Sequence, residues 1–151
     1  MTKRLLIIGL LALTVVTSSL SAKEFDLRAN MVKLNSELND LQRAFMTSNK
    51  KAVEVSLERL AKDANDLLGN KDIMIESLPK DMKNRKHKVN VAVKSARAIK
   101  ENVKTIREAI AAKGKISVLK RQVKAQEAYG NIMNACFQCH NLVRDKGRII
   151  E

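Results

Sequence analysis

Apolar residues recur every three or four positions along most of this chain, in four separate runs. That spacing keeps a helix's apolar residues on one face. The first run covers about 25–47, with Leu27, Met31, Leu34, Leu38, Leu41 and Phe45. The second covers about 50–68, with Val53, Leu57, Leu60, Ala64 and Leu67; Ser48 or Asn49 is placed to cap its start and Gly69 to end it. The third covers about 82–112, with Val89, Ala92, Ala96, Ile99, Val103, Ile106 and Ile110. The fourth covers about 115–146, with Ile116, Leu119, Val123, Gln126, Gly130, Met133, Phe137 and His140 in one register. No segment alternates with a period of two, and the single proline, Pro79, falls between runs. Each stripe has to be buried against others, so the expected fold is all-α, an antiparallel up-down four-helix bundle. The short turn at Lys113-Gly114 makes the last two helices antiparallel neighbours. The longer link over 69–81 carries Ile73, Met74, Ile75 and Leu78, and is expected to fold back over an apolar surface.

The fourth run also contains Cys136, Phe137, Gln138, Cys139 and His140, a C-x-x-C-H sequence. This is the attachment pattern of a c-type haem. Two thiols separated by two residues match the two vinyl groups of the porphyrin, and the adjacent imidazole is positioned as the axial iron ligand. The chain has no other cysteine. A zinc site is the first competing reading, but zinc takes four ligands and the only other histidine is His87. A thiol–disulfide site is the second, and it calls for βαβ patterning that is not evident. One covalent haem c, with its iron, is therefore the expected cofactor, held by Cys136 and Cys139 with His140 on the metal. At an end of the bundle, it would lie under the apolar link. Gly130 either leaves room for backbone or porphyrin there, or is a local packing choice.

The N-terminus reads as a secretory signal over residues 1–22. Lys3 and Arg4 begin it, Leu5 to Val16 form its apolar core, and small or polar residues lead to a cut after Ser21 or Ala22. The core is shorter than the roughly 20 residues of a spanning helix, so export, and periplasmic location, is expected over membrane anchoring. Residues 23–151 then form one domain. The formal charge of +13 becomes +11 without Lys3 and Arg4, and about +9 with two haem propionates. Export argues against nucleic acid as a partner. Acidic redox proteins, or peripheral contact with an anionic membrane, suit such a surface. Lys80, Lys83, Arg85, Lys86 and Lys88 cluster where the third helix starts, against the sense of the helix dipole. They form either a docking patch for an acidic partner or a solvated face.

The motif near the end of the last of four helices resembles the class II c-type cytochromes, the group that includes cytochrome c′. The likeness covers the layout of most of the mature chain and is sharpest from Tyr129 to Lys146, YGNIMNACFQCHNLVRDK. Tyr129 and Gly130 before the motif and Arg144 four residues after the histidine look like the family pattern; the position before that arginine, often aromatic in the family, is Val143. Arg28 is similar to the family's arginine near the start of helix one. The resemblance implies that Arg28 and Arg144 bind haem propionates, as a guanidinium can with two parallel hydrogen bonds. It also carries the homodimers seen in the family. Family spacing points to Val32 as the residue facing the iron's distal side, whereas the apolar register points to Met31, because Val32 falls off the seam.

The second axial position decides the function. With Met31 on the iron, the expected role is single-electron transfer between redox partners, with no catalytic residue and no enzyme activity. With an empty apolar distal side, the expected role is binding of nitric oxide or another small gas. Met74 and Met82 are further candidates at the same end, Met46 falls at the far end, and His87 lies off the seam.

Overall fold

A computed structural model describes residues 27–143 of the 151. These residues are helical, in five helices without a strand among them: α1 (Leu27–Met46), α2 (Lys50–Leu68), α3 (Lys71–Ser77), α4 (Arg85–Ala111) and α5 (Val118–Val143). The all-α expectation holds for them. The signal segment and Arg144 lie outside the described residues. Among those residues, no helix is long and apolar enough to cross a membrane.

Local chemistry sets the boundaries. Asn49 caps α2, its side-chain oxygen accepting from the Ala52 N–H at 3.0 Å. Gly69 closes that helix, and a Cβ there would run into the Asn65 carbonyl. Asn70 then caps α3 through the N–H groups of Asp72 and Ile73. The apolar link is therefore a short helix, with Met74 and Leu78 as its buried residues. α4 starts at Arg85, after Asn84 turns the chain with φ of 55°. Lys80 and Lys83 thus precede the helix, while Arg85, Lys86 and Lys88 fall in its first turn, against the sense of its dipole.

α1 and α2 form one antiparallel hairpin. Lys33 on α1 bonds Asp63 on α2, two positions at similar distances from the 47–49 turn. α4 and α5 form another, tied by Glu108 to Lys124 at 3.3 Å and by Asn102 to Asn131 at 3.2 Å. α2 packs against α4, and α3 against both. α1 and α5 have little close backbone contact and meet through side chains such as Phe45 and Tyr129, ring edge to ring face at 6.0 Å.

One apolar cluster joins Leu38, Leu41, Leu57, Leu60, Ile99 and Ile132, drawn from α1, α2, α4 and α5. A second joins Leu67, Leu68, Met74, Val89, Ala92 and Cys139. For α1, α2 and α4 the residues spaced for burial are the ones facing these clusters. For α5 they are not. Leu119 is 70% exposed and Phe137 45%, and Ile116, Val123 and Met133 are exposed as well. The buried face of α5 is Ala128, Ile132, Ala135 and Cys139 instead. The helix carries two apolar stripes on opposite sides, and its alanine-rich side lets it approach α4 closely. Gly130 lies on the outer side, where an added Cβ would meet nothing within 4 Å, so no neighbouring backbone accounts for it.

Candidate functional site

The C-terminal half of α5 sets the site. Cys139 follows Ile132 and Ala135 on the inward face, which buries its thiol among Leu67, Leu68, Met74 and Val89. Cys136, one turn earlier, is half-buried against the other cluster, and the two sulfurs are not bridged. His140 is exposed as a residue but borders the same small cavity as both cysteines. Met31 borders it from α1. The remaining wall is largely apolar, with Leu34, Leu38, Leu60, Leu68 and Ile99, and has no acidic residue. Two thiols, an imidazole and a thioether from opposite ends of the sequence thus meet at one apolar space. The open volume is about 80 Å³, well below the roughly 300–1,000 Å³ of a ligand cleft.

The apolar register of α1 shows in its packing. Met31 packs against the cluster that contains Cys139, while Val32 is 63% exposed. Met74 is fully buried in that cluster and Met82 packs at its edge. Met46 is at the far end, exposed, and His87 is exposed on α4. Arg28 is exposed in the first turn of α1 and does not line the cavity. In the basic stretch, Lys80, Lys83 and Lys86 are exposed, but Arg85 is half-buried and Lys88 is buried, so the five do not form a single exposed patch.

Burial pushes the Cys139 thiol up to about 11; the neighbouring Cys136 adds to this, and the Ser95 hydroxyl works against it through a hydrogen bond. Burial raises Cys136 too. Both are therefore thiols at neutral pH. Disulfide exchange proceeds through a thiolate, which reactive C-x-x-C pairs stabilise; this environment does the reverse. Among the described residues no three His, Cys, Asp or Glu side chains are grouped to hold a bare metal ion. A haem iron, held by four ring nitrogens, asks only one or two ligands of the protein.

Comparisons with protein-family models, with curated proteins and with solved structures return no match to this chain.

Sequence reasoning passed over one group beside the site. Glu37, next to Leu38 on α1, is buried against Asp63 of α2. Its carboxyl is raised to about 7, first by burial, then by its hydrogen bond to Asp63 and that residue's charge. Asp63 is held low by that hydrogen bond and by Lys33. Below about pH 7 the pair holds one proton between its two carboxyls. The available signal was an acid one residue from the apolar seam of α1, facing an acid beside the seam of α2.

Proposed function

We propose that this chain is an exported, periplasmic monohaem c-type cytochrome that carries single electrons between redox partners. The single observation that carries this reading is the convergence of Cys136, Cys139, His140 and Met31 on one apolar cavity. In this reading, the two hairpins are halves of an antiparallel four-helix bundle, similar to class II cytochromes, with the haem at one end.

The donor set fits the group. Cys136 and Cys139 would hold it covalently, His140 would ligate iron from α5, and Met31 would ligate from α1. Haem supplies a metal that changes oxidation state by one electron. The leucines and Ile99 around it supply an apolar surrounding, and a low dielectric there tunes the potential. Donors fixed on two helices would let the group change oxidation state with little movement of the protein. The cavity is small, so admitting a macrocycle would need α1 and α5, which have little close backbone contact, to separate there. Arg28 and Arg144 are the proposed propionate partners. The exposed lysines at 80, 83 and 86 are proposed to meet acidic partner proteins.

The ferric absorption spectrum tests the ligand. Wild type is expected to be low-spin with a methionine–iron charge-transfer band, and Met31→Leu to lose that band. A high-spin spectrum in both proteins would eliminate Met31 and favour the gas-binding alternative. A low-spin spectrum in both would pass the role to Met74 or Met82.

A further inference from the structure

A second, larger cavity lies between the C-terminal end of α1 and the N-terminal half of α5. It measures about 630 Å³, within the range of small-molecule sites. Arg121 and Cys139 are 18 residues apart on α5, which at 1.5 Å per residue is about 27 Å along its axis. This cavity is therefore distinct from the haem-end space. Phe45 and Tyr129, in edge contact, are part of its wall, with Ile110 and Ala125 beside them. Met46, 81% exposed, and Val118, also exposed, make its rim apolar. The lining has one charge, Arg121, and no acid. The Nε of Arg121 is buried and has no hydrogen-bond partner among the described residues. Glu108, which reaches α5 from α4, is paired with Lys124 and Lys104. Three amides, Gln42, Gln122 and Gln126, complete the polar lining.

An apolar trough with one uncompensated guanidinium is complementary to a molecule with an apolar body and one anionic head. A planar carboxylate accepts two parallel hydrogen bonds from that fork. A bare apolar ligand would leave the buried Nε without a partner, at a cost. We propose that this cavity binds a single monomeric amphiphile of the fatty-acid class, its carboxylate on Arg121 and its chain along Phe45, Ile110 and Tyr129. The proposal does not rest on haem attachment.

The test is titration calorimetry on the full mature chain, produced in a host competent for haem attachment, with dodecanoate below its micelle concentration. Saturable one-to-one binding is expected, with dodecanol binding roughly tenfold to a hundredfold more weakly, as the loss of a charged hydrogen-bonded pair implies. Arg121→Gln is expected to weaken dodecanoate to the level of dodecanol and leave dodecanol unchanged. Lys120→Gln, which removes an exposed charge outside the lining, is expected to change neither. Equal affinity for acid and alcohol in wild type overturns the proposal even if Arg121→Gln fails to fold. So does an equal loss in Lys120→Gln, which would make binding a matter of net charge. Binding to anionic vesicles without binding to monomeric dodecanoate overturns it, as does a dimer in sedimentation that excludes dodecanoate.

Discussion

The two faces of α5 have similar apolar spacing and opposite fates. With Gln126 and Gly130 between them, Leu119, Val123, Met133 and Phe137 hold a repeat of threes and fours, and these four are exposed. Ala128, Ile132, Ala135 and Cys139 repeat the same way and are buried. The bulkier stripe is the one left outside. Side-chain size alone would bury it, since more apolar area leaves water. Helix approach decides otherwise: alanines on the inner face let α5 lie close against α4, and close packing recovers contacts that bulky side chains cannot make at a distance.

Substitutions on the two faces probe this difference. Ile132→Ala empties a fully buried site and is expected to cost about 2–5 kcal/mol in denaturant unfolding. Ala128→Leu forces bulk between α4 and α5 and is expected to cost about 1–3 kcal/mol. Met133→Ala, one residue along from Ile132 but facing outward, is expected to stay within about 0.5 kcal/mol of wild type. If Met133→Ala matched Ile132→Ala, the outer face would be buried in the working state of the protein, against a second copy or otherwise.

The α1–α2 interface yields a pH signature in the weakly acidic range. Glu37 is raised to about 7 in the folded chain from an ordinary value of 4.5. The folded state therefore binds more protons than the unfolded one between those values. The associated stability is fully present below about 4.5 and is lost as pH rises to about 7. Asp63, held below its usual range, contributes at the acid side of that window, where its stability is lost as pH falls. Glu37→Gln keeps a donor towards Asp63 without the charge. It is expected to flatten the dependence between pH 4.5 and 7, and to gain on the order of 1–2 kcal/mol at pH 8. An unchanged slope in thermal unfolding would remove Glu37 as its source.

Much of the fold was legible because α1, α2 and α4 each have one apolar stripe, so spacing alone selects the buried face. Leu41, Leu57 and Ile106 are fully buried as spaced. α5 was not legible in this way, because periodicity cannot rank two stripes of equal period. α3 was missed as a helix because seven residues give too few repeats to show one. The grouping of Cys136, Cys139 and His140 at one cavity was legible in their adjacency in the sequence, which does not depend on choosing a face. The Glu37–Asp63 pair was hidden because acids beside a seam are usually solvated, and only the hairpin brings these two together.

The central claim is most directly tested by intact mass and absorption of the mature chain, made in a host that attaches haem. One covalent haem predicts a mass greater by a single haem, retained after denaturation, with a c-type pyridine haemochrome spectrum, and loss of both in the Cys136→Ala/Cys139→Ala variant. A colourless chain with the mass of the bare polypeptide would contradict it.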